Sequence, residues 1–305
     1  MEYYFGVFRS PGAEIFNIGP FSLRWYGLLI ALSVFIGLRL STELARRRNL
    51  SSSIINDILP ILLLSSIIGA RIYYVVFEWR NFSGDNFWSV INILGITIPI
   101  PSLLEIWGGG IAIHGALIGG ALSITIFCRL KRKSALEVFD VLLPSVALGQ
   151  AIGRWGNFFN NEAFGIPTDL PWKIYIPLRS RPAIFTQNEY FHPTFLYESI
   201  WNICIFLILL YLFKMDKKTK NEIIRPGFIS SAYLMLYGIG RLWIESLRID
   251  PLCFGGLPPY CSEGVRMAQM MSIIFISMGA YGLYRFRQKT KDAFIKNISS
   301  LGKNK

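Results

Sequence analysis

Four side chains that bind ions or form hydrogen bonds follow one another at helical spacing near the end of an apolar segment. They are separated by four, four and three positions: Tyr237, Arg241, Glu245 and Arg248. Residues with this spacing share one face of a helix, and a charged face must meet protein, ligand or water. The planar fork of an arginine suits the oxygens of a phosphate group. The face therefore indicates an anion-binding site.

Polar side chains in other apolar segments fall at a similar distance from the segment ends: Tyr26, Arg71, His114, Arg154 and Glu198. A helical rise of about 1.5 Å per residue puts His114 about 12 Å inside the outer end of its segment, and Arg71 and Arg241 about 9 Å inside theirs. We therefore expect all of these side chains in the outer half of a bilayer.

Ordinary burial and ion pairing would explain any one of these groups. Arg241 can pair with the glutamate one turn further on, Arg71 can pair with Glu78 or Glu198, and His114 can be a satisfied buried imidazole. Three arginines from three segments nevertheless outnumber the two carboxylates at hand. Because an anion would complete that balance, we expect a phosphate there, most naturally that of a phospholipid headgroup.

The composition requires a membrane to position these residues. Of 305 residues, 52% are hydrophobic and only 16% are charged, compared with about 25% charged in soluble domains. The apolar residues form runs of about 20, which is the length that spans a bilayer core. We predict an all-α integral membrane protein with seven transmembrane helices, over residues 21–40, 56–77, 106–128, 135–155, 193–213, 227–247 and 265–286.

The basic residues set the orientation of these segments. They cluster after the first, third, fifth and seventh segments, as in Arg46–Arg48 and in the tail 287–305. The positive-inside rule makes these stretches cytoplasmic and puts the N-terminus outside. The net charge of +12 is then a topology signal and does not indicate nucleic acid. Because the first 20 residues lack the pattern of a cleaved signal peptide, we expect an uncleaved anchor. Residues 156–192 would form a small periplasmic or extracellular cap.

Cysteines and histidines limit the remaining chemistry. Cys253 and Cys261 share an outward loop, and their spacing leaves open whether they form a disulfide. Only two histidines are present, and no Cys/His spacing resembles a zinc site. No phosphate-binding loop of the Walker type occurs either. We therefore expect no metal and no nucleotide cofactor.

The most specific pattern ends the fourth apolar segment and enters the following loop. It reads GRWGNFFNNEAFG from Gly153 to Gly165. This run resembles the signature of prolipoprotein diacylglyceryl transferases, in which Gly-Arg-x-Gly-Asn is followed by two apolar residues, Asn-x-Glu and a further Gly. Blocks elsewhere agree with that family in the same order: Arg24-Trp25-Tyr26-Gly27, Gly69-Ala70-Arg71, His114-Gly115, His192-Pro193, Leu196-Tyr197-Glu198, and Tyr237-Gly238 with Arg241 and Glu245. The loop 78–105 and the Cys253/Cys261 pair lie outside the pattern.

The resemblance implies a multi-pass enzyme of the bacterial plasma (inner) membrane, with its active site towards the outer leaflet. Its partners would be phosphatidylglycerol and the signal peptide of a prolipoprotein. The sn-1,2-diacylglyceryl group would pass to the lipobox cysteine and sn-glycerol 1-phosphate would leave, as the first step of lipoprotein maturation. The chemistry fits, because a thiol with a pKa of about 8.5 needs a base or a positive field, and the departing phosphate needs fixed positive charge.

The same resemblance suggests residue roles. The expected catalytic residues are His114, Arg154 and Arg241, with the arginines on the phosphate and the histidine as base or orienting group for the thiol. Residues expected to bind phosphatidylglycerol are Tyr26, Arg154, Asn157, Asn160, Glu162, Tyr237, Arg241 and Glu245. The further site residues expected are Arg71, His192, Glu198 and Arg248.

Alternatives remain open at this point. Within the enzyme class, no single residue need be the base, because the field of the arginines can acidify the thiol. Outside it, charged residues at one depth also mark a transporter for an anionic solute, although no internal repeat is visible. A structural membrane scaffold is the third interpretation.

Overall fold

A computed structural model describes residues 7–18, 21–83, 87–93, 96–105, 109–218 and 225–286. The described residues form seven long helices: α1 (Trp25–Arg47), α2 (Ser52–Phe77), α3 (Ile113–Leu130), α4 (Ala135–Asn160), α5 (Thr194–Lys218), α6 (Phe228–Leu247) and α7 (Met267–Phe286). Short strands lie between them: β1 (Phe8–Arg9), β2 (Glu14–Ile18), β3 (Phe21–Arg24), β4 (Trp88–Ile93), β5 (Ile96–Pro101), β6 (Ile174–Tyr175), β7 (Tyr190–Phe191), β8 (Cys253–Phe254) and β9 (Val265–Arg266). The predicted tail 287–305 lies outside the described residues.

Six of the seven helices are long and apolar enough to cross a bilayer. The exception is α6, which is 20 residues long and carries Arg241 and Glu245. Large apolar side chains such as Leu64 on α2, Leu122 on α3 and Leu207 on α5 are more than half exposed. Such faces suit lipid better than water. The protein is thus mostly helical and passes through the membrane several times.

The chain folds as two compact units, one made of residues 1–41 and 139–305 and the other of residues 42–138. In the first unit, α6 packs along α7 and against α5. A Cβ atom at Gly238 would lie only 2.8 Å from the carbonyl oxygen of Ser272, so a glycine is needed for this approach.

The start of α6 is held by a side chain of α4. The buried Asp140 accepts hydrogen bonds from the backbone N–H groups of Gly227 and Ser230 at 2.9 and 2.8 Å. Asp140 therefore caps α6 from α4.

A small cap follows α4 in the same unit. Strand β6 pairs in parallel with β1 and antiparallel with β7. The buried core of the cap consists of aromatic and aliphatic side chains: Phe158, Phe164, Ile174, Ile176, Phe185, Phe191, Phe195 and Ile249. The N–H of Gly165 donates to the carbonyl of His192, and that of Ile166 donates to the carbonyl of Leu247, at 2.9 and 2.8 Å. The cap therefore holds the end of α6 and the start of α5.

In the second unit, α2 and α3 are in backbone contact. A Cβ atom at Gly115 would overlap the carbonyl oxygen of Gly69, and one at Gly119 would overlap that of Ser65. Helix packing thus accounts for Gly115 and Gly119 of α3. The loop 78–105 contains an antiparallel hairpin of β4 and β5, with Trp88 opposite Pro101.

Several helix boundaries differ from the sequence predictions. Helix α1 begins at Trp25 and not at Phe21, because Phe21–Arg24 pairs with β2. Helix α3 begins at Ile113 and not at Ile106, because Gly109 and Gly110 have φ of +94° and +71°. Helix α4 runs to Asn160, five residues beyond the predicted end at Trp155, so the cap starts later than Gly156. Helix α7 starts at Met267, after β9.

Candidate functional site

Glu198 on α5 is the centre of a cluster of arginines from α4 and α6. It is only 5% exposed. Its Oε2 forms an ion pair with Nη2 of Arg154 at 2.5 Å, and its Oε1 accepts a hydrogen bond from Nη1 of Arg241 at 2.9 Å. Nη1 of Arg248 lies 3.6 Å from the same Oε1. Two oxygens of one buried carboxylate therefore hold two guanidinium groups side by side.

Glu245 fixes Arg241 from the other side. It lies one turn further along α6, is 1% exposed, and its Oε2 is 2.7 Å from Nη2 of Arg241. Arg241 is thus held between Glu198 and Glu245. Each of Arg154 and Arg241 has five N–H donors, and hydrogen bonds within the described residues use one in each, from Arg154 to Asn157 and from Arg241 to Glu198. The contacts of Arg154 with Glu198 and of Arg241 with Glu245 are ion pairs, so the other donors have no hydrogen-bond partner among the described residues.

Arg248 sits at the end of α6 and pairs mainly with Asp250. Its Nε and Nη2 donate to the two carboxylate oxygens of Asp250 at 2.9 and 2.7 Å. Burial lowers the pKa of Arg248, but the hydrogen bonds and charge of Asp250, with Glu198 and Glu245, outweigh that effect and raise the pKa above its ordinary value. Arg248 therefore stays charged.

These pairs correct the expected charge balance. The sequence suggested an excess of three arginines, one from each of three segments, over two carboxylates. Of these, Arg154 and Arg241 share Glu198, Arg241 also has Glu245, and Arg71 donates to backbone carbonyls. An anion at this site would not fill an empty place beside unpaired arginines. It would compete with these carboxylates or use the arginine N–H groups that they leave.

The signature residues lie at the end of α4 and in the turn after it. Nδ2 of Asn157 donates to Oε1 of Glu162 at 2.8 Å, and Nδ2 of Asn160 donates to the same oxygen at 3.3 Å. Nη1 of Arg154 lies 3.5 Å from Oδ1 of Asn157. The left-handed backbone of Asn161, with φ of +54°, turns Glu162 back towards the helix. Asn157, Asn160 and Glu162 thus form one polar rim beside Arg154.

The start of α1 packs on the same part of α4. The rings of Trp25 and Phe159 stack with centroids 4.6 Å apart. A Cβ atom at Gly156 would overlap the ring of Tyr26. Gly156 of the signature is therefore required for the approach of Tyr26, which is 39% exposed.

Tyr237 lies one turn before Arg241 on α6. Its ring stacks on Tyr233 at a centroid distance of 5.8 Å and lies 6.3 Å from Phe275. The hydroxyl of Tyr233 donates to Oε1 of Gln150 at 3.0 Å. Tyr237 is thus held in place by ring contacts on the arginine-bearing face of α6.

His192 is a cap residue just before α5. Its Nδ1 lies 3.1 Å from the hydroxyl of Tyr197, which also accepts from Nε1 of Trp172 at 2.9 Å. Burial lowers the pKa of His192 below its ordinary value, so its imidazole is neutral at pH 7. Its contacts are with cap and α5 residues.

Arg71 and His114 belong to the second unit. Arg71 does not pair with Glu78, which was one interpretation of the sequence. Its guanidinium donates to four backbone carbonyls at 2.7 to 2.9 Å, those of Ser102, Leu103, Gly109 and Gly110. These bonds use four of its five donors, so Arg71 clamps the loop before α3.

His114 is in the first turn of α3, and its ring lies 5.8 Å from that of Tyr73. The predicted depth of about 12 Å assumed a helix that rises from Ile106. Since the helix starts at Ile113, that depth does not hold.

Sequence reasoning missed several participants: Gln150, Trp172, Tyr197, Asp250 and Arg266. Tyr197 and Asp250 had a local signal, because they lie one and two positions from Glu198 and Arg248. Trp172 and Arg266 had none. The disulfide that the sequence left open is formed: Cys253 and Cys261 are bonded, with Cα atoms 5.4 Å apart.

Comparison with known proteins identifies the family of the chain. Residues 13–285 match the family described as Prolipoprotein diacylglyceryl transferase. A phosphatidylglycerol–prolipoprotein diacylglyceryl transferase of Prochlorococcus marinus strain NATL2A is 64% identical over 285 residues, which cover 93% of this chain and 94% of that protein. Proteins of the same name from Prochlorococcus marinus strains MIT 9211 and MIT 9301 are 60% and 55% identical over 291 and 282 residues, covering 95% and 92% of this chain and 96% and 94% of the relatives. The chain therefore belongs to the prolipoprotein diacylglyceryl transferase family.

Proposed function

We propose that this protein transfers the sn-1,2-diacylglyceryl group of phosphatidylglycerol to the lipobox cysteine of a prolipoprotein, with release of sn-glycerol 1-phosphate. The cysteine sulfur forms a bond to the terminal glyceryl carbon, and the bond from that carbon to the phosphate oxygen breaks. The electron pair of the broken bond stays on the phosphate, and the thiol loses its proton. The product is a thioether.

The observation that carries this proposal is the sharing of Glu198 by Arg154 and Arg241. The phosphodiester has one negative charge, whereas the departing phosphate monoester approaches two at neutral pH. Guanidinium groups held in place before the reaction stabilise this added charge without reorganising. Arg154 and Arg241 would bind the phosphate through the N–H groups that Glu198 and Glu245 leave.

The neighbouring residues have supporting roles in the proposal. Asn157, Asn160 and Glu162 form the polar rim, which suits the hydroxyls of the glycerol headgroup. Tyr26 and Tyr237 would donate hydrogen bonds to glycerol or phosphate oxygens. Glu245 orients Arg241.

His114 is proposed as the base or orienting group for the thiol. The alternative, in which the field of the arginines acidifies the thiol, predicts a different result for one variant. His114→Gln should slow transfer while binding of phosphatidylglycerol stays intact. Full activity in His114→Gln would remove the histidine from the mechanism and leave the arginine field.

We further propose that the N-terminus lies outside and the C-terminus in the cytoplasm of the bacterial inner membrane, with the site towards the outer leaflet. The basic ends Arg46 and Arg47 of α1 and Arg285 of α7 support this orientation. A reporter enzyme that is active only in the cytoplasm, fused after residue 305, should be active.

The direct test uses purified protein, phosphatidylglycerol and a lipobox peptide. Peptide mass and glycerol phosphate release are followed together for wild type, Arg154→Ala and Arg154→Lys, with the exposed cap residue variant Arg179→Ala as control. Wild type and the control should add one diacylglyceryl group per peptide. Arg154→Ala should be inactive, and Arg154→Lys should be strongly impaired because a single ammonium lacks the planar fork. No adduct from folded wild type would overturn the proposal, and counterflow of a labelled anion would then support a transporter.

A further inference from the structure

Arg266 connects the end of α6 to the disulfide-closed loop that follows it. Its Nη1 donates to the carbonyl of Glu245 and lies 3.4 Å from the carbonyl oxygen of Arg248. Its Nη2 donates to the carbonyl of Pro259 at 3.0 Å. One guanidinium thus reaches two positions at the end of α6 and one position in the loop.

The end of α6 needs such a partner. The last four carbonyls of a helix have no N–H partner within the helix, and a cation near them is favourable. The cap supplies a donor to Leu247 through the N–H of Ile166 at 2.8 Å. Arg266 supplies a donor to Arg248 and a second donor to Glu245, whose carbonyl also accepts from the N–H of Arg248 at 3.2 Å. Cap and Arg266 therefore hold the same helix end by different contacts.

Glu245 and Arg248 also hold the proposed phosphate-binding arginine. The carboxylate of Glu245 pairs with Arg241, while its backbone carbonyl accepts from Arg266. Arg248 faces Glu198 and Asp250 while its carbonyl lies near Arg266. A shift in the last turn of α6 would move these carboxylate–arginine pairs together.

The disulfide fixes the loop from which Arg266 reaches α6. Arg266 pairs with Cys253 in the β8–β9 hairpin, and Cys253 is bonded to Cys261. Pro259, whose carbonyl accepts from Arg266, lies inside the ring closed by that bond. The N–H of Met267 donates to the carbonyl of Leu252 at 2.8 Å, which ties the start of α7 to the same loop.

We propose that Arg266 is a positioning residue for the phosphate-binding arginines, and that the Cys253–Cys261 disulfide keeps Arg266 at the end of α6. This inference rests on the proposed transferase function. Arg266 acts through Glu245 and Arg248 and does not itself touch the substrate. Loss of either Arg266 or the disulfide lowers the rate of transfer by the same route.

The first experiment compares the kinetics of Arg266→Gln with those of Arg181→Gln. Arg181 is a matched control, because its guanidinium also donates to two backbone carbonyls, those of Ile176 and Thr186, but these lie in the cap and not on α6. For Arg266→Gln, kcat should fall about tenfold while KM for the lipobox peptide is unchanged, since Arg241 is misplaced but the peptide site is not. Arg181→Gln should keep the kcat of wild type per folded molecule.

A chemical rescue separates positioning from general stability. Guanidinium ions at millimolar concentration should restore activity to Arg266→Ala, because they can replace the lost donors, whereas sodium or ammonium at the same ionic strength should not. Equal effects of all three cations, or a wild-type kcat in Arg266→Gln, would overturn the role of Arg266.

The second experiment tests the disulfide on protein that is already folded. Wild type is reduced and alkylated, and the reagents are removed before the assay. The Cys253→Ser/Cys261→Ser variant is treated in the same way. Because both proteins keep the exposed Cys204, its alkylation affects both equally. Treatment should lower kcat of wild type about tenfold and leave that of the double variant unchanged at its already reduced value. Adding Arg266→Gln to the double variant should not lower kcat further, because the cysteine substitutions and Arg266→Gln disrupt the same connection between the loop and α6.

The outcomes distinguish this inference from the proposed function. Wild type that makes no thioether refutes the function itself. Active wild type with additive losses from Arg266→Gln and the cysteine substitutions refutes the link between Arg266 and the disulfide. If Arg266→Gln does not fold, the reduced and alkylated wild type still tests the inference. An unchanged kcat after that treatment contradicts it.

Discussion

Replacing Glu198 with glutamine should destabilise the protein more than any change at the polar rim. Glu198 is buried and holds Arg154 and Arg241, whose side chains are 22% and 18% exposed. Breaking a fully buried ion pair by removing one partner costs about 3 to 5 kcal/mol. Since the two arginines keep partial access to solvent and the glutamine still offers one oxygen, we expect a loss of about 2 to 3 kcal/mol.

The assay is unfolding by SDS titration in detergent micelles, followed by far-ultraviolet circular dichroism. A loss of this size raises the unfolded-to-folded ratio by roughly 30- to 160-fold at a fixed SDS fraction. Glu162→Gln is the matched control, because Glu162 is exposed and accepts from the neutral amides of Asn157 and Asn160. It should cost less than about 1 kcal/mol. Equal midpoints for Glu198→Gln and Glu162→Gln would refute the argument that Glu198 supports the arginines.

Three further predictions follow from the geometry. Gly156→Ala should lower the rate of transfer about tenfold by displacing Tyr26. Gly153→Ala should not lower it, because a Cβ atom there meets nothing within 4 Å. Equal effects of the two substitutions would contradict the close approach of Tyr26 to Gly156. Arg71→Gln should destabilise the loop before α3 by about 3 kcal/mol and make residues 102–112 sensitive to protease, while the exposed Arg80→Gln should not. Burial lowers the pKa of His192 below its ordinary value of 6.5, so its contribution to stability is complete above that pH and is lost as pH falls through the folded pKa. The stability of wild type relative to His192→Gln should therefore be greatest above pH 6.5 and should fall as the pH is lowered below that value, and a constant difference would contradict this.

The sequence predicted the helical parts of the fold because bilayer thickness imposes one length on every crossing. The boundaries failed where local pairing or glycine geometry intervened. Phe21–Arg24 is apolar enough to extend a helix, yet it pairs as a strand with β2. Gly109 and Gly110 take positive φ before α3. Hydropathy carries no information on backbone pairing, so the predicted starts of α1 and α3 lie several residues too early.

The sequence singled out the charged residues on α4, α5 and α6 because charges are rare in apolar segments, but it predicted only one of the pairs that they form across the cluster. Spacing along α6 gave the Arg241–Glu245 contact, since both lie on one helix. It gave no information on Glu198, which joins α4 and α6 only through the packing of α5. The role of Arg266 was hidden for the same reason, because its partners are backbone carbonyls, which carry no sequence signal.

The shared carboxylate also explains how two arginines can serve one phosphate. Arg154 and Arg241 come from different helices, and like charges at close range repel each other. Glu198 offsets that repulsion because each of its oxygens lies against one guanidinium, at 2.5 and 2.9 Å. A phosphate also presents several oxygens to two donors, so it can engage the same pair of guanidiniums through their other N–H groups. In the proposed reaction, the bonds from these N–H groups to the phosphate would strengthen as charge moves onto the departing group. The buried glutamate would keep the two arginines in the same positions before and after transfer.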